Sequence, residues 1–442
     1  MTARRIRSRR RVALAFVALA LSLALAACNS ANPTPSPSPS PTEAPPSPSP
    51  TPVPSEAPVA SPSSEPTAAD PIYDAIEQQV AAMRGLQPTG EVERRTIDEA
   101  ELKTQIEQLY HDESPPELVA ANERFYKALN LLPADASLGD LTIEMLSGGV
   151  AGFYRDDQKT LYVVSRSGDV GANEKITFAH EFDHALQDQH YPIFKDQEGV
   201  TNRSDWLLAR QALYEGDASL LMTLWASQNF TAQEFQELLA QGVNDPSSQM
   251  LERMPAILRE TLLYPYTTGM GFVQGQYAGG GGWAGVDAMY AAVPETTEQV
   301  LHPEKYQAKE GPIEIAVPED LEERIGPDWE RALDDTFGEF QMGIWLRELG
   351  ADGATEAAAG WGGDRVLVLN GPDESWAAVL GTAWDSDEEA EEFEAAATQG
   401  VEALGDPAAL LAGETGSERW VVVGSDDATM RAVADALGLA DN

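Results

Sequence analysis

Cysteine occurs once and histidine only five times in 442 residues. A lone cysteine, Cys28, excludes an intramolecular disulfide, cysteine catalysis and cysteine ligation of a metal. Positive charge is scarce too: 29 lysines and arginines face 72 aspartates and glutamates, for a formal net charge of −43. Such a chain repels nucleic acid and anionic headgroups, so no nucleic-acid partner is expected. The acid excess reads as solubility or adaptation to high salt, with attraction of basic substrates as the other reading. Beyond residue 27 the sequence holds no second hydrophobic span and no internal repeat.

What is present begins with an export signal. Six arginines, Arg4, Arg5, Arg7, Arg9, Arg10 and Arg11, precede an apolar run from Val12 to Ala27 that is short for a spanning helix. Losing them would take the charge from −43 to −49. Leu25-Ala26-Ala27-Cys28 resembles the bacterial lipobox, in which the cysteine is acylated and becomes the new N-terminus. Ser8-Arg9-Arg10 is loosely similar to a twin-arginine signal. Residues 28–69 are rich in proline, serine, threonine and alanine, a composition that buries no core and prefers extended polyproline conformations. Residues 1–27 are therefore expected to be a lipoprotein signal peptide and 28–69 a tether. The protein is expected outside the cytoplasm, with the membrane as its partner through the lipid.

From about residue 70 the patterning is that of an α+β protein with two parts. A mainly helical domain, 70–363, carries helical periodicity over 73–84, 97–111, 116–131, 173–190, 205–227 and 231–242. Two apolar stretches, 150–154 and 160–164, flank the polar turn Arg155-Asp156-Asp157-Gln158 and predict a β-hairpin. A small α/β unit, 364–442, follows, with strands expected at 365–369, 376–380 and 420–423 and helices at 387–403 and 427–438.

The chemistry concentrates in His180-Glu181-Phe182-Asp183-His184. On a helix, positions i and i+4 share a face, so the two imidazoles can meet one ion, while Glu181 stands beside it as general base. A catalytic zinc needs a third protein ligand and an open position. Glu215, in Ala212-Leu213-Tyr214-Glu215-Gly216-Asp217, follows 31 residues later on a second predicted helix among apolar neighbours. This is similar to the gluzincin arrangement. The rival is His190, at the spacing of the metzincin motif HExxHxxGxxH, but Gln187 stands where that motif has the glycine that turns the chain. On a continuing helix His190 faces about 240° away from His184, which favours Glu215. Asp217 and His302 are the next alternatives as third ligand.

Over about 148–365 the chain resembles a family of little-characterised bacterial HExxH proteins, often lipoproteins. The matching segments are Gly152-Phe153-Tyr154, His180 to Gln189, Glu215 to Ser219, Pro265-Tyr266-Thr267-Thr268-Gly269, Leu301-His302-Pro303 and Gly360-Trp361-Gly362-Gly363-Asp364. The resemblance implies a zincin-like metallopeptidase with Zn2+ as cofactor and a peptide or protein as substrate. One departure is Ser219, where many gluzincins carry an aspartate that orients a zinc histidine. His302 and Tyr266 are the candidate donors to the oxyanion formed during cleavage, with Tyr264 as a substitute for Tyr266.

The expected activity is hydrolysis of peptide bonds by metal-activated water, with His180, His184 and Glu215 as ligands and Glu181 as base. The alternatives are an inactive zincin scaffold serving as a binding or cell-envelope protein, and a closed structural zinc site. An intact Glu181 favours the enzyme. The hairpin before the helix could pair with extended substrate by strand addition or be purely structural.

Overall fold

A computed structural model describes residues 16–19, 70–165, 170–191, 193, 195, 197, 199–244 and 246–439. Cys28, the tether and most of the export segment lie outside the described residues. The chain is an α+β protein whose helices surround two small sheets.

The first sheet has the order β1-β3-β4-β2, from Phe16–Leu19 (β1), Glu93–Ile97 (β2), Val150–Arg155 (β3) and Thr160–Val164 (β4). β3 and β4 form the hairpin, with Phe153 opposite Tyr162. β2 pairs parallel to β4, and β1 lies antiparallel along the outer edge of β3. Successive side chains alternate between the two faces of the sheet. Phe153, Tyr162 and Val164 pack with Leu102 and Ile106 of the helix Glu99–Glu113. Tyr154, Leu161 and Val163 join the core that carries the helix Ala172–His190.

That histidine helix starts where the Glu174 carboxylate accepts the Gly171 N–H at 3.0 Å. It is buried on every side from Thr177 to Gln187, so it runs through the interior. Phe178 stacks on Tyr73 of the helix Asp70–Arg84 at 4.4 Å. Beside it lies the 26-residue glutamate helix, Ser204–Asn229. Its first amide has no local cap; instead Asp335 accepts Ser204 N at 2.7 Å and Ser204 Oγ at 2.6 Å.

Asp335 belongs to the second sheet, an all-antiparallel array ordered β5-β6-β7-β9-β8. Its strands are Glu330–Asp335 (β5), Trp361–Asn370 (β6), Trp376–Trp384 (β7), Ala408–Ala412 (β8) and Glu418–Gly424 (β9). Val366, Val368, Leu380 and Val421 face a core shared with the helices Pro116–Ala128, Ala256–Tyr264 and Gly338–Glu348. Leu367, Leu369, Val379 and Val422 face the closing helix Asp427–Leu437. The sheet thus holds one end of the glutamate helix and packs against the helices flanking the site.

Candidate metal centre

Two helices supply the centre. His180 and His184 project from the same face of the histidine helix, as i, i+4 positions must. Glu215 reaches them from the glutamate helix: its Oε2 stands 3.0 Å from His180 Nε2 and 3.2 Å from His184 Nε2, and the two ring nitrogens are 3.1 Å apart. All three residues are buried. Bonds of about 2 Å at tetrahedral angles separate neighbouring donors by roughly 3.3 Å, so this spacing fits a small tetrahedral cation. Two imidazoles and one carboxylate are also the donor chemistry of catalytic zinc.

The electrostatics agree with a cation between these atoms. Burial works against charge on His184, but the Glu215 carboxylate outweighs it and pushes the imidazole up to about 9. Burial raises Glu215, yet His184 and His180 hold it down to about 2. Burial depresses His180, against the opposing pull of Glu215. The carboxylates of Glu215 and, to a lesser degree, Glu181 thus favour positive charge at His184, and a metal would supply that charge in the proton's place.

His184 is oriented by a residue that sequence reasoning read only as a missing glycine. Gln187 Oε1 lies 3.0 Å from His184 Nδ1. The Gln187 amide nitrogen donates to Asp183 Oδ2 at 3.1 Å and to the Tyr214 carbonyl at 3.0 Å. A carbonyl only accepts, so the amide cannot be flipped without losing that bond. Nδ1 of His184 then carries a hydrogen, so the neutral ring presents the Nε2 lone pair to the centre. Gln187 lies three residues on from His184, so the spacing alone could have suggested the contact.

Behind Asp183 sits a buried arginine that no motif announced. Arg84 Nε and Nη2 meet Asp217 Oδ1 and Oδ2 at 3.1 and 3.0 Å, and Nη1 meets Asp287 at 2.6 Å. Tyr290 donates to Asp217 at 2.6 Å. Burial disfavours the guanidinium charge, but Asp217 and Asp183 keep it firmly protonated. Asp217, a reserve ligand, is thus engaged by Arg84 rather than joined to the histidines. Ser219 Oγ is buried without a hydrogen bond among the described residues.

Tyr266 enters through a π-helical turn, Pro265–Gly269, that crosses the glutamate helix at close range. A Cβ on Gly216 would lie 2.4 Å from the Gly269 carbonyl, and one on Gly269 would lie 2.3 Å from that of Ala212. Only glycine permits this approach, which brings Tyr266 Oη to 2.9 Å from Glu215 Oε1. Glu181 is fully buried on the histidine helix, facing β3: a Cβ on Gly152 would be 3.4 Å from Glu181 Cγ.

The other sequence candidates lie elsewhere. His302 Nε2 bonds to Glu339 Oε1 at 2.8 Å, and its Nδ1 is 3.8 Å from Glu304. Tyr264 donates to the Thr297 carbonyl at 3.1 Å. The histidine helix continues through His190, whose Nε2 meets the Gln87 carbonyl at 2.7 Å on the surface. A second acidic group, Glu298, Glu310 and Asp385, already surrounds a cation: Lys305 Nζ sits 2.5 Å from Glu298, 3.2 Å from Glu310, and in contact with Asp385.

Next to Glu215 and Tyr266 opens a cavity of about 390 Å³. Its walls are mostly apolar and come from the helices Glu99–Glu113, Leu138–Gly149 and Ala256–Tyr264.

No curated protein and no solved structure matches the chain. Residues 323–436, which hold the second sheet and begin well after the metal centre, match a family model described as a domain of unknown function (DUF8575).

Proposed function

We propose that the protein is a zinc-dependent peptidase that hydrolyses peptide bonds, held outside the cytoplasm by a lipid on Cys28. The observation that carries this reading is the convergence of His180 Nε2, His184 Nε2 and Glu215 Oε2, with Glu181 on the same helix. A zinc ion held there would supply a Lewis acid that acidifies water and polarises a carbonyl near neutral pH.

The chain's own residues do the rest. Glu181 takes the proton of the attacking water and returns it to the leaving amine. A structural zinc site has no use for a buried carboxylate at that position. Tyr266, bonded to Glu215 Oε1, offers a hydroxyl that can turn to the oxygen gaining negative charge. Gln187 keeps the His184 lone pair aimed inward.

β3 supplies the edge for substrate. It runs beside Glu181, and its outer edge already takes an extended antiparallel segment, β1, from the export signal. Removal of that signal leaves the edge to an extended peptide, bound by main-chain hydrogen bonds.

The test is Glu181→Gln in the zinc-loaded protein, assayed against a peptide library. The amide keeps the shape but cannot accept the proton, so hydrolysis should fall about 10²–10⁴-fold with zinc retained. Undiminished hydrolysis in Glu181→Gln refutes the base assignment. No hydrolysis by the unaltered protein refutes the peptidase.

A further inference from the structure

The cavity beside the metal centre bears on what the peptidase cleaves. About one residue in four of this chain is charged, 23%. The cavity wall inverts that composition: among its lining residues only Glu215, at the centre itself, carries a charge at neutral pH. Ile106, Leu109, Met145, Leu146, Leu258 and Leu262 supply much of its apolar surface. Some of its polar groups are already engaged: Gln341 Nε2 donates to Thr261 Oγ1 at 3.0 Å, and Thr142 Oγ1 donates to the Leu138 carbonyl at 2.8 Å.

A volume of about 390 Å³ is within the range of ligand-binding cavities and ample for a large side chain. A charged group entering it would lose hydration and find no oppositely charged partner for an acid and only Glu215, at the centre, for a base. An apolar group would gain by leaving water. Glu215 and Tyr266, bonded to each other at 2.9 Å, are part of its wall, so whatever fills it lies beside the reacting centre.

We propose that this cavity is the specificity pocket of the enzyme and takes a bulky aliphatic or aromatic side chain next to the scissile bond. The proposal rests on the peptidase reading above. It selects substrates whose cleavage sites carry leucine-, methionine- or phenylalanine-like residues and rejects acidic and basic ones there. The chain's surplus of acid plays no part in this choice.

The experiment measures binding of simple hydroxamates, which chelate zinc without being cleaved, to the zinc-loaded protein by isothermal titration calorimetry. Acetohydroxamate probes the centre alone; 4-methylpentanohydroxamate and 3-phenylpropanohydroxamate add an apolar group. The two larger compounds should bind at least about tenfold more tightly than acetohydroxamate. Leu146→Trp, which fills the cavity from the helix Leu138–Gly149, should abolish that gain and leave acetohydroxamate affinity unchanged. Equal affinity for all three, or preference for a carboxylate-bearing analogue, overturns the pocket while leaving the peptidase intact. Failure of acetohydroxamate itself to bind overturns the centre, and the pocket with it.

Discussion

Replacing Gln187 by methionine separates a residue that merely packs from one that orients a ligand. Methionine fills similar volume and removes all three hydrogen bonds, to His184 Nδ1, Asp183 Oδ2 and the Tyr214 carbonyl. The site is fully buried, so no water replaces them. A buried acceptor left unpaired costs about 1–3 kcal/mol, so the two lost donations should lower stability by roughly 2–6 kcal/mol. Loss of the group that fixes a metal histidine's tautomer typically costs about 10–100-fold in metal affinity. The assay is zinc competition against a fluorescent chelator, with thermal unfolding recorded in parallel. Gln187→Glu is the companion variant: it keeps an acceptor for His184 but loses both donations. It should retain more of the zinc affinity while being comparably destabilised. If Gln187→Met lowers the unfolding temperature but leaves the zinc dissociation constant within about twofold, Gln187 is structural and the orienting argument fails.

Two further outcomes follow from packing and burial. Gly216→Ala puts a methyl 2.4 Å from the Gly269 carbonyl. It should cost about 1–3 kcal/mol and impair hydrolysis by moving Tyr266, as read by melting temperature and kcat; an unchanged melting temperature contradicts the close crossing. Burial, against hydrogen bonds from Thr297, pushes the Asp205 carboxyl up to about 8. The unfolded chain ionises that group near 3.9, so its stabilising contribution is complete below that pH and is lost as pH rises through about 8. Asp205→Asn should therefore shrink the fall in melting temperature between pH 6 and 9, in scanning calorimetry at both pH values; an equal fall in both proteins removes Asp205 as the cause.

Much of the frame was legible in the sequence where local rules and burial agree. The histidine helix was expected at 173–190 and runs Ala172–His190, and the hairpin strands stand at Val150–Arg155 and Thr160–Val164. β2 was not legible, because Glu-Arg-Arg-Thr-Ile carries three charges and becomes a strand only by pairing with β4. The same holds for β5, Glu-Arg-Ala-Leu-Asp-Asp, whose Asp334 is neutralised across the sheet by Arg365 at 2.7 Å. The helix Leu138–Gly149 ends in two glycines and showed no clean apolar period. At the centre, i, i+4 spacing pointed to the two histidines, and apolar neighbours singled out Glu215. Arg84 lies 133 positions from Asp217, and the cavity wall comes from helices far apart in sequence. Such contacts are products of tertiary folding, to which no local pattern points.

The central claim is a zinc centre made by His180, His184 and Glu215. Its most direct test is zinc per chain after dialysis against a weak chelator, with folding followed by circular dichroism. The account predicts about one zinc per chain in the unaltered protein, a folded but nearly empty Glu215→Ala, and full occupancy in His190→Ala. Zinc retained by Glu215→Ala and lost from His190→Ala would contradict it.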